Sequence, residues 1–486
     1  MKALISPIPL LIAVILAAFA LSQSSNAVMW TGCLLALPAI VWIAGGRKTP
    51  TVLLWILGIS WLQITADVFL ADLSGQSILD DPSGTSRELA IIFSLCAMAT
   101  IALGMRGGNM FGGWLFRAAR ANRGAAAGTE IPTFGVNRLI LCYLVLLAIT
   151  QGLGTLGKIN PLFLQPIVIV DAIKYVVIYL IAITVFESEE NYLWLVVVVG
   201  LEVMTGVIAY FASYKESIFV ILIAMVSSRR PLRVRNLIIA AIAFSGIIWM
   251  SLVWTSVKRE YRNVMFDMSF SQRINYMAET YFADRIDYHD ALEQLVNRIG
   301  YTKLYARVIE MDQAGSLARG FDYYEGAIMH ILTPRIIFPN KPVLDDSRAT
   351  MRLLGMHIAE GTSIGVGYVT EAHVDFGFPA LLIPMVMIGF AVSLCWQYFA
   401  TRPVPHLLGE AFGVAALFNS FLFAANIDKS LGSFVTIWIA FAIILRFGYP
   451  AIRFVLSPLH EDGLALVPGD LTGLESPGRP GKRIQP

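Results

Sequence analysis

The sequence predicts an all-α polytopic integral membrane protein, with about twelve transmembrane helices and one large helical loop on the outer face. Three observations carry that class. Of 486 residues, 57% are hydrophobic and 14% charged, where a soluble domain carries about 25% charged. Apolar runs of about 20 residues, enough to cross a hydrocarbon core of about 30 Å, recur along most of the chain. One long polar stretch, residues 257–376, interrupts them.

The apolar spans are 4–21, 27–44, 51–71, 88–105, 137–153, 162–186, 192–211, 215–227, 236–256, 377–399, 406–425 and 430–447. The first has Lys2 ahead of it and small residues near Ala20, as a signal peptide would, but a retained helix is expected because polytopic proteins rarely need cleavage. The eighth is short for a crossing and is tilted, re-entrant or extended into its flanks. Four units follow: spans one to nine over 1–256, the outer loop over 257–376, spans ten to twelve over 377–447, and a tail over 448–486. Pro458, Pro468, Pro477 and Pro480 among Gly, Asp and Glu mark that tail as loosely held. Between spans four and five, the Gly-, Ala- and Arg-rich segment around 111–123 suits a short amphipathic helix on the inner leaflet.

Lys and Arg in short loops stay on the cytoplasmic side. Arg47 and Lys48 follow span two; Arg106, Arg117, Arg120 and Arg123 follow span four; Arg229, Arg230, Arg233 and Arg235 follow span eight; Arg402 follows span ten. All are even-numbered exits, so both termini are expected inside and the long loop outside. The acidic turn 187–190 is the one cytoplasmic turn without this support, but acidic residues weigh little in the rule. Cys33, Cys96, Cys142 and Cys395 all lie in apolar runs, so no disulfide framework is encoded.

An ionisable residue at mid-membrane costs about 2.5–3.5 kcal/mol and so needs a partner or a purpose. Asp67 stands late in span three, Glu202 midway along span seven, and Asp171 and Lys174 share a face of span six. An internal ion pair is the plain reading of Asp171 and Lys174, and a proton or ion relay the sharper one. No pair of Gly/Pro-interrupted spans at matching positions supports a transporter.

Cations cluster on the outer side. Lys215, beside Tyr214 and two serines, stands at the outer junction of spans seven and eight, and Lys258, Arg259 and Arg262 emerge from span nine. A snorkelling lysine and a solvated helix end explain them plainly; contacts to a phosphate headgroup explain them functionally. Asp345 and Asp346 read as a solvated turn. His289, His330 and His357 lack metal-ligand spacing, so no metal site is expected. Between 272 and 325, apolar positions such as Leu292, Leu295, Ile299, Leu304 and Val308 recur at three- and four-residue spacing and predict helices. The interspersed Tyr276, Tyr288, Tyr301, Tyr305, Tyr323 and Tyr324 serve either helix packing or stacking on sugar rings.

The most distinctive text is HILTPRIIFPNKP, then a polar linker with Arg348 and Arg352, then TSIGVGYVTEAHVDFGFP. The proline-bounded arginine, the Phe-Pro-x-Lys-Pro turn and the Ile-Gly segment leading through Glu to Phe-Gly-x-Pro resemble the large periplasmic loop of Wzy-type polymerases. These enzymes polymerise oligosaccharide repeat units of bacterial surface polysaccharides. The resemblance covers the layout from about the seventh to the tenth span; elsewhere it is a hydropathy profile.

It implies a GT-C-like helical fold and a metal-independent glycosyltransferase of the bacterial inner membrane that needs no cofactor. Such an enzyme transfers a glycan from undecaprenyl pyrophosphate to a second lipid-linked repeat unit on the periplasmic face. The implied partners are the undecaprenyl-pyrophosphate-linked oligosaccharide, the lipid bilayer and, as a candidate, a chain-length regulator; no nucleic acid is implied. The leaving pyrophosphate gains negative charge, which Arg335 is expected to stabilise first and Lys215 second, with Lys341, Arg348 and Arg352 behind. Many relatives have arginine where this chain has Lys215, which keeps the charge and loses the bidentate fork. Glu371, His373 and Asp375 are the candidates for general base, Glu371 foremost, with helix capping or ion pairing as its plain alternative. Helical spacing puts Glu371 and Asp375 on one face and His373 on another. An O-antigen-ligase-like transferase shares these features with a different acceptor. A polysaccharide or lipid-oligosaccharide transporter would instead depend on Asp171, Lys174 and Glu202.

Overall fold

Backbone amides and carbonyls that meet no water must bond to one another, so a chain buried in lipid folds as helices or as a closed barrel. The computed structural model describes residues 24–80, 83–117, 135–159, 164–208, 214–230, 233–264, 287–333, 346–355 and 364–456, with scattered positions between them. Among these, every regular element is a helix.

Helices α1 (Ala27–Ile43), α2 (Thr51–Leu73), α3 (Gly84–Leu115), α4 (Val136–Ile159), α5 (Leu164–Ser188), α6 (Tyr192–Ile208), α7 (Tyr214–Ser227) and α8 (Val234–Val264) overlie the second to ninth spans. The polar stretch supplies α9 (Tyr288–Ile299), α10 (Thr302–Gln313), α11 (Asp322–Leu332), α12 (Asp346–Leu354) and α13 (Tyr368–Phe376). The chain then runs through α14 (Leu382–Ala400), α15 (His406–Leu417), α16 (Ile427–Phe447) and α17 (Tyr449–Leu456). Among the described residues, seven helices (α2, α3, α4, α5, α8, α14 and α16) are long and apolar enough to cross a membrane, and α1, α6 and α15 are shorter apolar helices. The chain is thus an α-helical, multi-pass membrane protein. The first span, 4–21, falls almost entirely outside the described residues.

The tightest contact in the bundle joins α3 to α14. Lipid offers helices no hydrophobic reason to associate, so small residues that let backbones touch decide the pairing. Gly104, Gly108 and Gly112 recur every fourth residue on α3. A Cβ on Gly104 would stand 2.1 Å from the Val386 carbonyl oxygen, and one on Gly108 2.5 Å from that of Phe390. From the other side, a Cβ on Gly389 would stand 2.0 Å from the Ile101 oxygen. The partners advance from Val386 to Gln397 as α3 advances from Gly104 to Gly112, so the two helices are parallel. Parallel packing puts both N-terminal ends on one face, the relative direction that the distribution of Lys and Arg requires of spans four and ten.

Several buried polar residues are tied to partners within the bundle. Asp67 of α2 accepts Arg87 Nη2 at 2.8 Å and Nε at 3.2 Å. Asp72, at the end of α2, accepts Asn26 Nδ2 and Trp30 Nε1, each at 2.6 Å, which ties down the start of α1. The loop helices dock at the same end: Leu292, Val296 and Ile299 of α9 pack on Ala66, Leu70 and Leu73 of α2. Tyr301, just before α10, donates its hydroxyl to Ser94 of α3.

Three segments depart from the sequence reading. Span 406–425 is helical only to Leu417. Phe421 and Phe423 are buried in the irregular stretch that follows, where Gln63 Oε1 accepts the Phe423 amide at 2.8 Å and Ala425 O accepts that of Tyr368 at 2.8 Å. Irregular backbone is tolerated at such a place because protein groups satisfy it. Residues 111–115 continue α3 rather than opening a surface helix, and residues 118–134 lie outside the described chain. The expected loose tail begins instead with α17, whose Tyr449, Ile452 and Leu456 pack on the core; residues 457–486 lie outside the described chain.

The α3–α14 contact gives a direct test. Gly104→Ala should force the helices apart and cost about 1–3 kcal/mol. Gly113→Ala, whose new methyl meets nothing within 4 Å, should leave the thermal midpoint in detergent unchanged or slightly raised. Equal midpoints for the two variants would contradict the packing.

Candidate functional site

The loop helices dock on the bundle at α2, α3 and α8. Asp287 caps α9 by accepting the amides of His289 at 3.0 Å and Asp290 at 3.1 Å. That start, together with the apolar face on α2, fixes α9 so that exposed Arg298 comes within electrostatic reach of half-buried Lys215. Two positive charges held together at a seam favour an anion between them. Glu216, next in the chain, is also half-buried; its Oε2 accepts the Tyr175 hydroxyl, and Asn419 Nδ2 stands 3.5 Å from Oε1. Tyr175 is wedged by Phe418, ring centroids 5.0 Å apart and edge-on.

Beneath this junction lies a buried polar web. Glu202 Oε2 accepts Lys174 Nζ at 3.1 Å and Ser217 Oγ at 2.7 Å, while Oε1 accepts the Tyr143 hydroxyl at 3.0 Å. Lys174 is also 3.6 Å from Asp171 Oδ1. The expected pair of Asp171 and Lys174 therefore exists, but the closer and better-buried partner is Glu202. Its side chain is 1% exposed where that of Asp171 is 34%. Removing one partner of such a buried pair costs about 3–5 kcal/mol because the other charge is stranded. The web thus fixes α4, α5, α6 and α7 to one another and holds the start of α7 in place.

A second cluster locks the loop to α13. Glu371, 2% exposed, accepts the Ile427 amide at 2.6 Å, at the first turn of α16. Asp375 accepts the amides of Tyr324 at 2.9 Å and Tyr323 at 3.4 Å, at the first turn of α11. Both carboxylates thus sit where a helix presents orphan amides and the positive end of its dipole. His373 points elsewhere: Nε2 is 3.1 Å from Asp312 Oδ2 and Nδ1 is 3.1 Å from the Tyr305 hydroxyl. Arg319 bonds both Asp312 oxygens at 2.7 Å. Burial holds the His373 pKa below its ordinary value, with the Asp312 hydrogen bond and charge opposing the shift. Burial likewise pushes the Asp375 carboxyl up, against the pull of the Tyr324 and Tyr323 amides.

Arg335 and Lys341 lie outside the described residues. The backbones of Tyr214 in α7, Lys258, Arg259 and Arg262 in α8, and Arg348 and Arg352 in α12 are described, but their side chains are not. Of the expected site residues, the structure therefore positions Lys215 at the bundle–loop junction, and Glu371, His373 and Asp375 in the α13 cluster. Residues that the sequence reading passed over include Arg298, Glu216, Tyr175, Asn419, Asp312 and Arg319. Only Glu216 left a local signal, its place beside Lys215. A cleft of about 480 Å³ also opens between the end of α2, the start of α3 and α10, with Arg87, Glu293, Lys303, Arg307 and Glu310 on its walls. Among the described residues, no group of three or more His, Cys, Asp or Glu is arranged to hold a metal ion. No protein-family model, curated protein or solved structure matches the chain.

The lowered His373 pKa fixes the sign of a pH effect. Unfolded histidine, pKa about 6.5, binds a proton that the folded chain resists, so this contribution is complete above about pH 6.5 and fades as pH falls toward the folded value. The thermal midpoint should drop between pH 7 and pH 5, and His373→Gln, which cannot charge, should flatten part of that drop. A variant whose midpoint falls as steeply as the parent's would contradict the assignment.

Proposed function

We propose that the chain is a glycosyltransferase that polymerises undecaprenyl-pyrophosphate-linked oligosaccharide repeat units on the periplasmic face of the bacterial inner membrane. In this reading it crosses the membrane about twelve times in a GT-C-like arrangement, both termini cytoplasmic. The observation that carries it is Lys215, half-buried in the first turn of α7, with Arg298 of the loop helix α9 within electrostatic reach. A polyprenyl pyrophosphate brings its anionic headgroup to such a depth. Cations held at that level would bind it and would stabilise the charge it gains as the glycosidic bond to phosphate breaks.

The polar cleft beside α9 supports the same reading, because alternating carboxylates and cations hydrogen-bond readily to sugar hydroxyls. Arg335, Lys341, Arg348 and Arg352 remain part of the proposal on the strength of the sequence resemblance. A second reading, a transporter of lipid-linked glycans, draws on the Asp171–Lys174–Glu202 web at membrane depth.

Chain-length ladders of the surface polysaccharide separate the two. Each charge-assisted hydrogen bond to phosphate is worth about 1.5–3 kcal/mol, so Lys215→Ala and Arg298→Ala should each cut polymer yield about 10- to 100-fold at normal expression. Lys215→Arg should keep most of it. A full ladder from both alanine variants would contradict the polymerase site, and loss on a Lys174→Met variant that is expressed and folded like the parent would then favour transport.

A further inference from the structure

Transfer to a sugar hydroxyl needs a group to take its proton, and the described carboxylates differ sharply in their fitness for that. Glu371 is buried, with Oε2 fixed on the Ile427 amide. Both oxygens of Asp375 serve main-chain amides of α11. Both oxygens of Glu202 are filled, by Lys174 and Ser217 on one side and Tyr143 on the other. Glu216 is placed differently. It adjoins Lys215 in the first turn of α7, and Tyr175 holds one oxygen and thereby its rotamer. The other oxygen, Oε1, accepts a long hydrogen bond of 3.5 Å from the side-chain amide of exposed Asn419, a contact that a sugar hydroxyl can replace.

We infer that Glu216 is the catalytic base of the transfer proposed above, taking the acceptor's hydroxyl proton at Oε1; the inference rests on that reading of function. In the step, the acceptor O–H bond breaks and its proton passes to Oε1. The freed oxygen lone pair forms the new bond to the donor's anomeric carbon. The bond from that carbon to the phosphate oxygen breaks, and its electron pair leaves with undecaprenyl pyrophosphate, whose added charge falls beside Lys215 and Arg298. Glu216 then returns its proton to water. Glu216 and Lys215 stand on one helical turn with Arg298 of α9 within electrostatic reach, so proton acceptance and leaving-group stabilisation share one seam.

The test uses the full-length protein in lipid nanodiscs, with undecaprenyl pyrophosphate as the binding probe. Lipid-linked repeat units extracted from a strain lacking the gene serve as the substrate. Glu216→Gln should bind undecaprenyl pyrophosphate within a few-fold of the parent and lose about 10²- to 10⁴-fold in kcat, the usual worth of a general base. Glu216→Asp should recover part of that rate with binding unchanged; if the Gln variant fails to fold, the Asp variant carries the test through its own drop in kcat. Parental kcat in either folded variant would overturn the inference and leave the polymerase reading standing. A parent protein that neither binds the probe nor extends the substrate would sink both.

Discussion

The close parallel contact between α3 and α14 is the constraint from which the rest of the architecture follows. Gly104, Gly108 and Gly389 bring the two backbones together where any side chain would strike a carbonyl. The pairing sets direction as well as distance. α13 leads directly into α14, and Tyr301 at the start of α10 bonds to Ser94 of α3, so the loop helices are built on the same pair that organises the bundle. Glu371 and Asp375 extend this frame, since each carboxylate ties α13 to the N-terminal end of another helix.

Electrostatics then works on a surface that packing has already shaped. Three carboxylates, Asp171, Glu202 and Glu216, are gathered with three cations, Lys174, Lys215 and Arg298, around the first turn of α7. The deeper members are bonded to one another: Lys174 bridges Asp171 and Glu202, and Ser217 anchors α7 to Glu202. Tyr175 holds Glu216 from the side. At the seam, Lys215 stands within electrostatic reach of Arg298, and Glu216 follows it in the chain. A buried web of partnered polar groups thus holds the first turn of α7, with Lys215 and Glu216, in place.

Much of this frame was legible in the chain because lipid imposes one rule on every span. Ten of the twelve apolar runs contain a helix that follows them closely, and the three- and four-residue rhythm of Leu292 and Ile299 marked α9 before its partner on α2 was known. Span 406–425 misled because Phe421 and Phe423 are as apolar as helix residues; their irregular backbone is satisfied by Gln63 and by packing from distant segments, which no local pattern reveals. Helical spacing correctly put Glu371 and Asp375 on one face and His373 on another. Their partners, Ile427, Tyr324 and Asp312, lie more than fifty residues away in the chain and leave no trace in it. Lys215 stood out by its place at a span junction, whereas Arg298 looked like any charge on an amphipathic helix.

An anion held between α7 and α9 should shield Lys215 from an amine-reactive reagent, read by peptide mass spectrometry on the full-length protein in nanodiscs. Undecaprenyl pyrophosphate should slow labelling of Lys215 while undecaprenol, with the same tail and no phosphate, leaves it unchanged. Equal labelling with either lipid, or equal protection by both, would contradict an anion-binding seam between α7 and α9.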